Sequence, residues 1–284
     1  VLVVACALSI GVTAPLGAQP LASPTPASRP IADPVEYNAF LSAMKLTDPA
    51  KQAAALEAFV ERYPSSVARV DALQVAMADY DRLGDRQRVD AMATRILQFD
   101  PDNVRALAIA IVFLRARVGA DPSRSDELLA GAKRGLVDLA TWQRPDDISE
   151  ANFASVSRQM RLIFEGAIGF AMLEQKNYVA ARQAYLEALQ IDPLNVEDVY
   201  QLGVTDVVMQ PIDVDGFWYL AKAAALTQPH DAAGAQKIEA FARARFRAYH
   251  GTDDDWTQLV AATASGTAPP PSFARSIRAA SPRP

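Results

Sequence analysis

From Pro34 to Tyr249 the chain is written mostly in one rhythm, apolar residues at three- and four-residue intervals separated by polar positions, the period of an amphipathic helix. One stripe of this kind is Ala54, Leu56, Phe59, Val60 and Tyr63, which predicts a helix with one buried side. Asp33-Pro34 and Asp48-Pro49 each offer an N-cap followed by proline in the first turn, so two helices are expected to start close together and form a hairpin. Proline then recurs just past expected helix ends at Pro64, Pro101, Pro193 and Pro229, and the stretch from Pro64 to Pro101 nearly equals that from Pro193 to Pro229. The pattern predicts a repeated helix pair and an all-α fold.

The clearest copy runs from Leu162 to Asn195, where Ile168-Gly169, Ala181, Tyr185, Ala188 and Pro193 follow in a fixed order of small, aromatic and proline positions. This segment resembles the tetratricopeptide repeat (TPR). Gly169 and Ala181 are expected to let two antiparallel helices approach closely, Tyr185 and Ala188 to contact the next pair, and Pro193 to end the second helix. Glu165 and Met172 stand where the family usually carries large aromatics. Downstream, Leu202-Gly203 keeps the first-helix signature, followed by a longer turn around Gln210-Pro211-Ile212-Asp213 and then Trp218-Tyr219. Upstream, Tyr80, Ala93 and Pro101 match, while Met77 and Val89 replace small residues.

Residues 104–161 are the least regular. A helix from Val104 to Val118 is expected to be followed by a lengthened turn over Gly119–Ser125, a helix from Leu128 to Trp142, and a long helix opened by Asp147 and Glu150 acting as a capping box. Beyond Pro229 a helix over Asp231–Tyr249 reads as a terminal cap, and a short helix is expected around Trp256. The resemblance implies a right-handed α-solenoid of about five antiparallel hairpins with a C-terminal capping helix over residues 35–264.

Outside that region the composition changes. Val1–Ala18 is an apolar run ending in small residues, the pattern of an export signal cleaved after Ala18, and residues 19–34 form a proline-rich linker. Residues 265–284, rich in Pro, Ser and Ala, are expected to be a mobile tail. Export to the periplasm follows from this reading. Cys6 is the only cysteine, so a mature chain would hold no disulfide, thiolate nucleophile or zinc–thiolate site. Membrane attachment is expected only if Cys6 is lipidated, which would make the protein an outer-membrane assembly factor.

The formal net charge of −5 is spread along the helices, leaving no basic stripe for nucleic acid. No nucleophile elbow, phosphate loop, dinucleotide fingerprint or zinc-helix motif is present in the sequence, and no cofactor is expected. His230 and His250 are the two histidines, each at an expected helix end. Asp213-x-Asp215-Gly216 and Asp253-Asp254-Asp255 lack the spaced oxygen donors and distal Glu of a calcium loop and read as helix-start acids. Trp142, Trp218 and Trp256 read as packing residues rather than sugar platforms. An enzyme would need a site in the irregular stretch 117–161.

The resemblance implies a non-enzymatic scaffold that binds other polypeptides along the first helices of its pairs. The residues it assigns to that face are Gln74, Asp81 and Arg82, then Arg105 and Arg115, then Ile163, Phe170 and Leu173, and last Tyr200, Val204 and Val208. The Asn positions with which some family members clamp a terminal carboxylate are occupied by Ala167 and Gln201, so an internal segment or a partner helix is the expected ligand.

Overall fold

A computed structural model describes residues 31–144, 148–263 and 266–280. Of the described residues 76% are helical, and no strand occurs among them. The helices are α1 (Pro34–Met44), α2 (Pro49–Arg62), α3 (Arg69–Arg82), α4 (Arg86–Phe99), α5 (Val104–Ala120), α6 (Ser125–Thr141), α7 (Glu150–Glu174), α8 (Tyr178–Ile191), α9 (Val196–Val208), α10 (Asp215–Thr227), α11 (Ala232–His250), α12 (Trp256–Ala262) and α13 (Phe273–Ser276). The expected signal over Val1–Ala18, Cys6, the linker up to residue 30 and Asp147 lie outside the described residues.

Helix starts follow the capping chemistry of the sequence. Asp33, Asp48, Asp85, Asn177, Asn195 and Asp231 each accept a backbone N–H of the first helical turn, which satisfies a donor that the helix itself cannot. Ser149 takes that role for α7, accepting from the Asn152 N–H at 3.3 Å.

Two kinds of turn recur. Between α3 and α4, Gly84 is left-handed at φ 72°, its N–H bonds the Asp81 carbonyl, and the next N–H, from Asp85, reaches back to Tyr80. Between α7 and α8, Lys176 is left-handed at φ 60°, its N–H bonds Leu173, and the Asn177 N–H reaches Met172. Both are Schellman caps whose last residue is also the N-cap of the next helix. The second kind joins one pair to the next. In Asp100-Pro-Asp-Asn103 and Asp192-Pro-Leu-Asn195 the Asn N–H bonds the Asp carbonyl at 3.2 Å, and the Asn side chain caps the following helix.

The described residues divide into two compact units. One takes residues 31–116, 131–144 and 148–160, the other residues 117–130, 161–263 and 266–280. In the first unit α1 packs on α2, α2 on α3 and α3 on α4. Its core is built from Leu56, Phe59, Leu73, Met92, Ile96 and their neighbours. Ala53, not Ala54, completes the α2 stripe, because Ala54 points to solvent. A polar clasp ties α2, α3 and α4: the Glu57 carboxylate accepts from the Tyr80 hydroxyl, from Arg88 at 3.0 Å and from Arg95 at 3.1 Å. Burial and this acceptor push the Tyr80 hydroxyl up to about 12.

In the second unit α8 packs on α9, α9 on α10, and α10 on both α11 and α12. Trp218, Trp256, Tyr185, Phe217 and Phe246 fill its core. Helices α9 and α10 approach almost to backbone contact. A Cβ on Gly203 would stand 2.8 Å from Leu220 Cγ and 3.1 Å from the Gly216 carbonyl oxygen, and one on Gly216 would meet Asp206 Cβ at 2.7 Å. Gly203 is thus a packing glycine, needed for the space its missing side chain leaves.

Three expectations are corrected. The lengthened turn over Gly119–Ser125 is absent: α5 continues to Ala120, Asp121 caps a single 3-10 turn over Pro122–Arg124, and α6 starts at Ser125. The long helix opens at Glu150 with Ser149 as cap. The tail described over residues 266–280 is docked, since Phe273 is only 7% exposed and joins the core of the second unit, with Ile277 packed against it. Two apolar side chains four residues apart in an otherwise small and polar segment supply the anchor that composition alone concealed.

Candidate functional site

The residues assigned to a binding face are distributed over both units and differ in what they present. In the first unit, Gln74 is half-buried on α3, Asp81 and Arg82 are exposed at its end, and Arg105 and Arg115 are half-buried on α5. Arg82 is held by an ion pair with Asp79, one turn back on the same helix. In the second unit, Ile163, Phe170 and Leu173 are half-buried along α7, and Val208 is half-buried at the end of α9. Tyr200 and Val204 belong instead to the core, each 7% exposed. They are buried because α9 is covered on one side by α8 and on the other by α10, which leaves no free face at mid-helix. A groove on this part of α9 is therefore not formed by those two side chains.

The structural repeat positions are all in the interior or at turns. Ala181, Tyr185 and Ala188 have no exposed surface. The close approach expected between Gly169 and Ala181 is made between Gly169 and Tyr185: a Cβ on Gly169 would lie 2.7–2.9 Å from three atoms of that ring. Tyr185 thus covers its own hairpin partner while sharing the buried cluster of α9 and α10. Pro193 is exposed in the turn that follows α8.

A second constellation was not singled out by sequence motifs. Asp206 lies on α9 with no exposed surface. One of its oxygens accepts from Arg182 Nε of α8 at 3.1 Å, and the other has no hydrogen-bond partner among the described residues. The same guanidinium reaches the Asp213 carboxylate at 3.0 Å, and Asp213 also accepts the Asp215 N–H at the start of α10. Asp213, considered for a cation, is therefore spent on an arginine and a helix start, and Asp215 contributes its backbone N–H to that start. Burial outweighs Arg182 and pushes the Asp206 carboxyl up to about 8, and burial likewise raises Asp215. Tyr219, facing these carboxylates from α10, is raised to about 12, first by burial and then by the charge of Asp206. The arrangement ties the turn between α9 and α10 to α8 through one arginine.

Asp79 on α3 repeats part of this arrangement: fully buried, one oxygen on an arginine, the other without a partner among the described residues. Each acid interrupts an apolar run, Met77-Ala78-Asp79-Tyr80 or Val204-Thr205-Asp206-Val207-Val208. That interruption is the signal by which sequence reading could have found them.

The remaining candidates have plain roles. Arg243 and Arg247, one turn apart on α11, grip Asp253 at 3.0 Å and 2.8 Å, and those hydrogen bonds hold its carboxyl down at about 2. His250 ends α11 ahead of the left-handed Gly251, with Nδ1 2.7 Å from the Arg278 carbonyl, while His230 is exposed after α10. Trp218 and Trp256 are buried; Trp142 is half-exposed and packs on Phe153 with ring centroids 4.8 Å apart. In the irregular stretch 117–161, Arg134 pairs with Asp102 and Asp138, and Arg124 with Glu127. No helix among the described residues is long and apolar enough to cross a membrane.

Comparison of the chain with protein-family models, with curated proteins and with solved structures found no match.

Proposed function

We propose that the chain is a non-enzymatic, TPR-like scaffold of the bacterial cell envelope that binds partner polypeptides. The observation that carries this reading is the recurrence of two turn chemistries. A left-handed residue followed by an Asp or Asn cap closes the hairpin at 84–85 and again at 176–177, and Pro-x-Asn leads to the next hairpin at 101–103 and 193–195. Matching joints in the α3–α4 and α7–α8 hairpins suit one repeated module, and modules that stack only on their neighbours form an α-solenoid whose extended surface suits polypeptide ligands. The half-buried apolar residues Ile163, Phe170, Leu173 and Val208 are the side chains that would line this surface in the second unit, Leu173 and Val208 also packing against the buried cluster.

Photo-crosslinking tests the reading directly. A crosslinker at Phe170 or Ile163 in the exported chain is expected to capture the same discrete polypeptide from envelope extract, whereas one at Val179, which is 73% exposed on α8, captures none. Failure to recover any reproducible partner from either α7 position would sink the scaffold reading. Export with cleavage after Ala18 makes a soluble periplasmic form; processing that stops in globomycin would instead assign lipidation at Cys6.

A further inference from the structure

Residues 266–280 form a strap that packs on the rest of the second unit. It approaches through Pro269-Pro270-Pro271, which cannot donate backbone hydrogen bonds and are stiff and extended before binding. Phe273 then joins the buried apolar cluster that also includes Trp218, Phe246 and Trp256, and Ile277, four residues on, packs against it. The rest of the hold is main chain: the Ala280 N–H donates to the Tyr249 carbonyl at 2.7 Å, and the Arg278 carbonyl lies 2.7 Å from His250 Nδ1. Two glycines let the strap lie close. Cβ atoms on Gly266 and Gly251 would stand 3.1 Å from the Trp218 ring and 3.2 Å from Ala280 Cβ.

This is the anatomy of a bound peptide: one aromatic anchor buried in an apolar cluster, one aliphatic contact, and backbone hydrogen bonds indifferent to the other side chains. A strap with two apolar side chains gains little beyond the cost of ordering it, so its hold depends on being tethered. We infer that the end of α11 and the cluster beneath it form a peptide-docking site, occupied at rest by residues 272–280 of the chain itself. Its external ligand is a polypeptide segment with an aromatic residue followed four positions later by an aliphatic one. This rests on the polypeptide-binding reading and adds a second, gated surface to it.

Tethering at an effective concentration of about 1 mM would mask a site of roughly 100 μM affinity about tenfold. The probe is a fluorescein-labelled peptide of Ser272–Ala280. The full-length Phe273→Ala variant, whose own strap has lost its anchor, is expected to bind it at least about tenfold more tightly than the unsubstituted chain. A labelled peptide carrying the same alanine should not bind. Equal binding by both chains, or none by either, overturns the proposal. If Phe273→Ala disturbs the core, hydrogen exchange on the unsubstituted chain decides. The Ala280 amide is expected to exchange well before the α10 amides, and faster still when unlabelled peptide is added. Protection of Ala280 equal to that of α10 would make the strap an integral part of the core and overturn the site. Tail-dependent dimerisation would place the strap in a second copy and overturn self-occupancy. None of these readings depends on an envelope partner, so the docking site and the scaffold can fail separately.

Discussion

Lys176 carries a backbone conformation suited to glycine, the residue that occupies the same joint at Gly84. A side chain at φ 60° crowds its own carbonyl by about 1 kcal/mol or more, and the freedom glycine adds to the unfolded chain offsets part of any relief. Lys176→Gly is accordingly expected to stabilise the protein by about 0.5–1 kcal/mol, seen as a higher denaturant midpoint with an unchanged slope. Asp206 is the opposite kind of residue, a charge-capable group held where charge is costly. Its carboxyl titrates near 8 folded against 3.8 for the free group, so between those values the folded state keeps a proton that the unfolded state has released. Stability is then fully present below about pH 4 and is lost progressively as pH rises towards about 8. Asp206→Asn, which mimics the protonated form, should flatten that decline, gaining on the parent chain by a few kcal/mol between about pH 5 and pH 8. Parallel stability profiles for the two proteins would show that Arg182 keeps Asp206 ionised throughout.

At the scale of single helices, what the sequence made legible and what it hid separate by mechanism. Starts and stops were legible because their causes are local: Asp33, Asp48 and Asp231 cap as their positions suggest, and Pro64, Pro101, Pro193 and Pro229 each follow a helix end. Which apolar residues stay accessible was not, because burial depends on the neighbours a helix acquires. Tyr200 and Val204 share the three- and four-residue spacing of an exposed stripe, yet α9 is flanked by both α8 and α10. The tail misled for the complementary reason, since its small and polar majority outweighed Phe273 and Ile277 in any average over the segment. The two Pro-x-Asn joints offer a quantitative check on the local part of this account. Asn103→Ala and Asn195→Ala each remove one cap from otherwise alike turns, and each is expected to cost about 1 kcal/mol in denaturant unfolding. A cost at one site only would mean that the two joints are alike in sequence but not in energetics.

Across the whole molecule the consequence of modular joints is that damage should stay near its origin. Ala181 has no exposed surface, and in the same hairpin Gly169 lies under the Tyr185 ring with no room for even one added carbon. Ala181→Leu inserts three carbons into that packing, which typically costs about 1–3 kcal/mol. The strain has somewhere to go, because α7 and α8 can separate slightly. It should reach α9 and α10 through the buried cluster that Ala181 and Tyr185 share with Leu202 and Phe217. The core of α2, α3 and α4 is a separate cluster in a separate compact unit. Native-state hydrogen exchange on Ala181→Leu is therefore expected to show protection lost between about Ser149 and Thr227, with the amides of α2, α3 and α4 unchanged. A neutral substitution would mean that the hairpin is looser than its buried glycine implies. Loss of protection in α2–α4 to the same degree would mean that the chain unfolds as one cooperative body, and the repeat description of its energetics would then have to be given up.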